Sequence, residues 1–202
     1  MIIVFDFDKT LTKSDTFFPF IWAIMDKSVL GYCKVLFLFY FAVLHKLNII
    51  ENSKFKLKAV QYFLKNMQYE ILKSRVNKFV KSIKLNEINN EIKTFSCNDI
   101  YVVSASFDFA IRDLFSKNIT VVGSRINVDD GIVTGMKDNC YGLCKVERLM
   151  EIGVRKIDIL YTDSISDLPL AQISDEIRFV ESGTYTKFSF DEFLKYTGVE
   201  KN

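Results

Sequence analysis

Histidine is the scarcest functional residue in this 202-residue chain, with a single copy at position 45. A Ser-His-Asp triad, a His-ligated zinc or a phosphohistidine would each have to rest on His45, which lies in an apolar helical stretch and reads as a helix-surface residue. The chemistry is therefore expected from carboxylates. Two prolines and eight glycines are too few for long linkers, collagen-like repeats or a many-turned all-β fold. No internal repeat and no low-complexity tract is visible. The four cysteines, Cys33, Cys97, Cys140 and Cys144, lack a zinc spacing, so reduced thiols in a cytoplasmic protein are expected. Cys140 and Cys144 stand one helical turn apart but have no second pair to complete a metal site. No basic stretch leads into an apolar run at the start, so no secretory leader is expected. The longest uncharged run inside the apolar region after Phe17, Val35 to Leu44, is ten residues, short of the ~18–20 needed to span a bilayer.

What the chain does have is apolar mass and an uneven distribution of charge. Hydrophobic residues make up 49% and aromatics 14%, enough to exclude a disordered chain and to fill the core of one domain, with or without a large insert. From Ser14 to Phe95 there are 13 Lys and Arg against 6 Asp and Glu, and elsewhere 14 against 19, within a net charge of +2. A mildly acidic body thus carries a basic insert. Phe17 to Ile50 is more apolar than a surface helix should be. It reads either as a buried helical hairpin with its own small core or as helices lying on a membrane, because Phe37, Phe39, Tyr40 and Phe41 are flanked by Lys27, Lys34 and Lys46. Glu51 to Phe95 is helical by periodicity, with Phe55, Ala59, Tyr62 and Phe63 on one stripe and Ile71, Val76, Phe79, Val80 and Ile83 on another. The lysines lack the aromatic interleaving of a nucleic-acid surface, and no nucleic-acid partner is expected.

Outside the insert the pattern alternates strand and helix. Ile2 to Phe5 reads as a strand buried on both faces. Asp6 and Asp8, two residues apart, then project the same way from its carboxyl end, where open α/β sheets place ligands. Two like charges this close ask for a cation beside them, although a turn using Asp for local hydrogen bonds would also fit. Ile100 to Val103 reads as a second buried strand closed by Ser104, Ala105 and Ser106, with a helix starting at Phe107 to Ala110; Ser104 is placed to hold a phosphate or to cap that helix. Thr120 to Ser124 looks like a third strand, and Val128 to Thr134 like a hairpin turning at Asp130-Gly131. Leu143 to Ile152 reads as a helix with Lys145 on its first turn. Ile157 to Tyr161 is a strand running into Asp163 and Asp167, with a helix from Leu168. Ile177 to Val180 is the expected last strand and Lys187 to Tyr196 the expected closing helix. The expected class is α/β: a Rossmann-like parallel sheet from residues 1–13 and 96–202, with residues 14–95 inserted as a helical cap.

Asp6, Asp8 and Thr10 resemble the Asp-x-Asp-x-Thr motif of the haloacid dehalogenase superfamily, and Ser104, Lys145 and the pair Asp163 and Asp167 follow in the order of that superfamily's other motifs. The resemblance covers most of the chain and implies a phosphatase. In it Asp6 matches the nucleophile that becomes an aspartyl-phosphate, and Asp8 the acid and base for the leaving oxygen and for water. Mg²⁺ would be held by the Asp6 carboxylate, the Asp8 backbone carbonyl and Asp163, with Asp167 ordering metal-bound water one layer further out. Ser104 and Lys145 would bind the phosphoryl group, and Thr10 would brace the first loop beside it.

A helical insert between the first and second motifs resembles the phosphoserine-phosphatase-like branch. Thr162 and Ser166 replace the Gly and Asn usual in the fourth motif of its phosphoserine enzymes, which argues against phosphoserine as substrate. Asp15 falls where those enzymes carry a substrate-reading Glu. The apolar insert is similar to that of bacterial relatives acting on phosphatidylglycerophosphate, so a small metabolite, a sugar phosphate and a lipid phosphate are all expected substrate classes, with peripheral contact at the inner membrane face in the last case. Asp8-Lys9-Thr10 echoes P-type ATPases, but their following Gly-Thr and their spanning helices are missing. A non-catalytic protein that kept the fold, or transfer of phosphate to an alcohol, are the competing readings.

Overall fold

Four apolar residues near the amino terminus make the strand around which the sheet is arranged. In this computed structural model, which describes residues 1–95 and 99–199, β1 (Ile2–Phe5) has Ile3, Val4 and Phe5 fully buried. It pairs in parallel with β2 (Asp99–Phe107) on one side and β5 (Ile157–Thr162) on the other. Burial on both faces and hydrogen bonding on both edges suits an unbroken apolar run. With β3 (Thr120–Asp129), β4 (Ile132–Asp138), β6 (Ser174–Glu181) and β7 (Thr184–Phe188), the strands form one sheet of order β4-β3-β2-β1-β5-β6-β7. The five central strands are parallel, and the edge strands β4 and β7 pair antiparallel with β3 and β6.

The helices are α1 (Phe17–Ile24), α2 (Val29–Lys46), α3 (Asn52–Ala59), α4 (Tyr69–Ser82), α5 (Glu91–Thr94), α6 (Asp108–Ile111), α7 (Leu143–Glu151), α8 (Leu168–Ala171) and α9 (Phe190–Thr197). Val4, Val103, Leu149, Leu160, Ile177 and Phe193, contributed by β1, β2, α7, β5, β6 and α9, meet in one core cluster. The class is α/β with a Rossmann-like parallel sheet, as the alternation of strands and helices implies.

The chain divides into two compact units. A core unit comprises Met1–Asp15, Ile83–Ser124 and Cys140–Asn202; a helical unit comprises Thr16–Ser82 and Arg125–Asn139. These bounds differ from the expected insert of residues 14–95 in two places, each for a hydrogen-bonding reason. Residues 83–95 stay with the core because Lys13 N–H donates to the Lys84 carbonyl at 3.0 Å and Asn86 N–H to that of Leu11 at 2.7 Å. The β3–β4 hairpin joins the helical unit because Asn66 and Tyr69 N–H donate to the Val133 and Gly131 carbonyls, both at 2.8 Å, and Val133 N–H returns to Met67 at 2.9 Å. Asp130 and Gly131 at its tip both take positive φ, 48° and 75°, as a two-residue hairpin turn requires.

Other expectations shift as well. β6 continues past Ile177–Val180 at both ends and is followed by β7, so Lys187 lies in a strand and the closing helix begins only at Phe190, after a Ser189 and Glu192 capping box. The run Glu51 to Phe95 is not one helix: a π-helical turn at Val60–Leu64 follows α3, and α4 buries Leu72, Val76 and Phe79 while Ile71 is exposed. The expected stripe holds at Val76 and Phe79, and Leu72 takes the buried place expected of Ile71. α2 runs 18 residues straight through Lys34, so by length and composition it is able to cross a bilayer even though its uncharged run is short. It is not a buried hairpin either, since only Gly31 and Leu38 are buried along it. Gly31 is obligatory there: a Cβ would stand 1.9 Å from the Asp26 carbonyl oxygen. Cys97 lies outside the described residues; Cys33 is exposed, Cys140 buried and Cys144 half-buried.

Candidate active site

The carboxyl ends of β1 and β5 are neighbours in the sheet, so the residues that follow them share one edge. Asp6 N–H donates to the Tyr161 carbonyl at 2.9 Å, which extends the β1–β5 pairing by one residue and fixes where the Asp6 side chain starts. Asp163 follows β5, and Asp167 follows four residues later. Lys145 reaches them from the first turn of α7, behind a Gly142 at positive φ. Its ammonium group donates to Asp6 Oδ1 at 2.7 Å and to Asp167 Oδ1 at 2.6 Å, and all three side chains are almost completely buried. The second oxygen of Asp167 accepts from Thr162 Oγ1 at 2.8 Å, and Thr162 also accepts the Ser164 N–H.

The electrostatics of this edge are unbalanced. Burial, followed by the charges of Asp167 and Asp163, holds the Asp6 carboxyl well above the usual carboxylate range, against the pull of Lys145. Burial pushes Asp163 up to about 6, with Lys9 opposing and Asp167 assisting. Burial alone would lower the Lys145 ammonium, yet Asp167 and Asp6 together drive it upward, so it stays charged. Three acids around one buried lysine leave a deficit of positive charge that a divalent cation would fill.

Among the described residues no three His, Cys, Asp or Glu side chains form a metal cluster. The expected Mg²⁺ donors make a different set, two carboxylates and one backbone carbonyl, and a magnesium ion ordinarily keeps several waters besides its few protein ligands. Oxygen donors with excess negative charge fit that ion.

The remaining expected residues fall around this centre in unequal ways. Asp8 is half-buried, and Ser106 Oγ donates to its Oδ2 at 2.8 Å. Ser104 is buried and accepts the Ser106 N–H at 2.9 Å, so the two serines form one local turn. That turn lies in an irregular stretch of β2, where the register with β3 shifts between Val103 and Phe107. Gly123 makes it fit: a Cβ there would stand 2.6 Å from the Ser106 carbonyl oxygen and 2.7 Å from the Asp108 nitrogen. Thr10 is fully buried, and among the described residues its hydroxyl has no hydrogen-bond partner. Thr12 holds the first loop, accepting Lys9 N–H at 3.0 Å and donating to the Ser14 carbonyl at 2.8 Å. Lys9, just before Thr10, takes φ 58°. Asp15 is exposed at the end of this segment.

Sequence reasoning missed Thr12, Thr162 and Ser106 as positioning groups. The serine was legible as part of Ser104-Ala105-Ser106, but nothing in the sequence says which hydroxyl faces Asp8. A cavity of about 520 Å³ opens beside Asp163, bounded by Lys9, Lys13, Glu87 and the β6–β7 turn at Ser182 and Gly183.

Residues 3–172 match the family model described as haloacid dehalogenase-like hydrolase, and the chain belongs to that family. No curated protein matches it by sequence. Among solved structures it resembles a Bordetella pertussis protein of unknown function, with TM-score 0.74 at 15% identity over 98% of this chain and 95% of that one. It also resembles a phosphoserine phosphohydrolase-like protein from Francisella tularensis, with TM-score 0.65 at 17% identity over 96% and 92%. A substrate-bound phosphoserine phosphatase matches with TM-score 0.60 at 18% identity over 87% and 83%. The protein is thus a hydrolase by family, with a fold shared by phosphoserine phosphatases.

Proposed function

We propose that the protein is a Mg²⁺-dependent phosphatase that hydrolyses a phosphate monoester through an aspartyl-phosphate on Asp6. The observation that carries this is the buried Lys145 bridging Asp6 and Asp167. A phosphoryl dianion repels an anionic nucleophile, so a permanently charged cation fixed against that nucleophile is what attack by a carboxylate needs. Bound between the Asp6 and Asp163 carboxylates and the Asp8 carbonyl, Mg²⁺ would neutralise phosphoryl charge and return Asp6 to its ionised form.

Asp6 attacks phosphorus while protonated Asp8 gives its proton to the leaving oxygen. Asp8, now a carboxylate, takes a proton from the water that opens the aspartyl-phosphate, so one group serves both steps. Ser106 aims Asp8. Ser104 donates to a phosphoryl oxygen, and the unpartnered Thr10 hydroxyl is a further donor within the first loop. Asp167, with one oxygen on Lys145 and the other on Thr162, orients the lysine, and would act on a metal's waters only through it. Asp15 is kept as a substrate-contact candidate.

The cavity beside Asp163 suits the leaving group of a small metabolite or sugar phosphate, being within the size range of small-molecule sites. A lipid phosphate such as phosphatidylglycerophosphate is the second reading, favoured by the solvent-facing apolar side chains of α2. The test is phosphate release from p-nitrophenyl phosphate and from a panel of metabolite, sugar and lipid phosphates with and without Mg²⁺. Mg²⁺-dependent release is expected. Silence across the panel would overturn the reading, and appearance of a phosphorylated alcohol in place of inorganic phosphate would redirect it to phosphotransfer.

A further inference from the structure

Helix α2 violates the rule that an apolar helix is buried. Leu30, Leu36, Phe37, Phe39, Tyr40 and Val43 are all exposed, Leu36 at 72% and Phe37 at 51%. A helix apolar on nearly all sides belongs in a core or in lipid, and this one is in neither within the chain itself. A contiguous apolar surface of this kind on a folded protein marks an interaction site.

We infer that this face of α2 lies in the interface of an anionic lipid bilayer, with the helix parallel to the membrane plane. The charge around it selects that occupant. From Thr16 to Ser82 there are 11 Lys and Arg against three Asp and Glu, so two copies meeting through α2 would bring like charge against like charge, whereas an anionic surface attracts it. The basic groups sit at the rim of the apolar face. Lys27 Nζ lies 4.0 Å from the Trp22 ring, which in turn contacts Tyr32 near the start of α2. Lys58 Nζ lies 5.9 Å from the Phe41 ring on its flank, and Lys46 ends the helix. Aromatic rings beside ammonium groups around an aliphatic strip are what the headgroup boundary accepts.

Parallel rather than spanning insertion follows from how the helix is held. Gly31 and Leu38 are buried on one side. Ser28 Oγ caps the start by accepting the Gly31 N–H. At the other end His45 Nδ1 lies 3.1 Å from the Ile50 carbonyl. Tyr32 also meets Trp22 of α1 at 5.8 Å and the His45 ring stacks on Phe55 of α3 at 5.8 Å, so a helix held near both ends and along one side offers only its opposite side to lipid.

The inference stands apart from the chemistry proposed above, since lipid binding is read without turnover. The probe is sedimentation with vesicles of equal parts phosphatidylglycerol and phosphatidylcholine, against phosphatidylcholine alone, together with emission from Trp22, the one tryptophan in the chain. The protein is expected to pellet with the anionic vesicles, to release at high salt, and to shift Trp22 emission to the blue. Phe37→Ser with Phe39→Ser should lower the partition by roughly tenfold or more, since two aromatic side chains no longer leave water. Both side chains are more than half exposed, although Phe37 meets Tyr62 at 5.9 Å and Phe39 meets Phe18 at 5.1 Å, so circular dichroism verifies that the double variant keeps its helices, and Lys58→Glu should weaken only the anionic component. Equal partition of wild type and the double variant would overturn the inference. So would a protein that ignores both vesicle types but sediments as a dimer that the double variant dissociates, which would give the face to a second copy.

Discussion

In the core unit Lys145, Asp6 and Asp167 are taken out of water, Asp167 at 0% exposure, and each charge meets an opposite one. In the helical unit the reverse holds: Leu36 and Phe37 are given to water. Both arrangements cost stability, for buried ions rarely recover their desolvation and exposed apolar area forgoes the hydrophobic gain. What separates them is closure. The core cluster satisfies itself apart from a deficit of positive charge, whereas most of the apolar surface of α2 stays open to solvent. A feature that opposes stability and closes on itself points to chemistry; one that stays open points to a surface.

The contrast is open to test from its most sensitive side first. Asp6→Asn keeps the shape of the site but removes the proposed nucleophile, and phosphate release is expected to fall by at least about 10⁴-fold while inorganic phosphate still binds, as read by turnover and by calorimetry. Lys145→Ala strands two buried carboxylates. It should cost about 3–5 kcal/mol in urea unfolding and several orders of magnitude in turnover. A small stability change there would mean that water already shares the site.

Within α2 the same kind of change should have opposite weights on its two sides. Leu38→Ala, in the buried seat, is expected to cost about 2–5 kcal/mol. Leu36→Ser, two residues away in solvent, should stay within about 0.5 kcal/mol. Equal costs would mean that α2 is buried in solution.

The smallest effect is that of pH on the metal-free protein. Asp163 titrates at about 6 when folded and near 4 when unfolded, so the folded state holds the extra proton between those values. The stability it contributes is complete below about pH 4 and is lost as pH rises through about 6. Asp6 acts in the same direction. Melting in EDTA should therefore be lower at pH 7 than at pH 5 by about 2–4 °C or more, Mg²⁺ should restore it, and Asp163→Asn should flatten the difference.

The central strand, the acids after it and the lysine of α7 were legible in the sequence because each depends on a local pattern: an apolar run, a spacing of two, a first helical turn. What was not legible depends on pairing at a distance. β7 follows β6 after a two-residue turn at Ser182-Gly183, but Thr184 to Phe188 alternates too weakly to announce a strand. The allegiance of the β3–β4 hairpin to the helical unit rests on backbone bonds to Asn66, Met67 and Tyr69, which leave no trace in side-chain chemistry. The division of labour between Thr10 and Thr12 escaped for the same reason, since two threonines two apart look equivalent until the loop takes its left-handed turn at Lys9.

Gly123 carries no functional group and belongs to a strand outside every motif, yet the atoms its missing methyl would strike are backbone atoms of Ser106 and Asp108, which have no side-chain freedom with which to yield. Alanine at this position would displace the very turn that aims Asp8. Under the proposed mechanism a screen for inactive variants would accordingly score an inert residue of β3 as though it were part of the proton-transfer apparatus, and the lesion would show as impaired leaving-group departure in an otherwise well-folded protein.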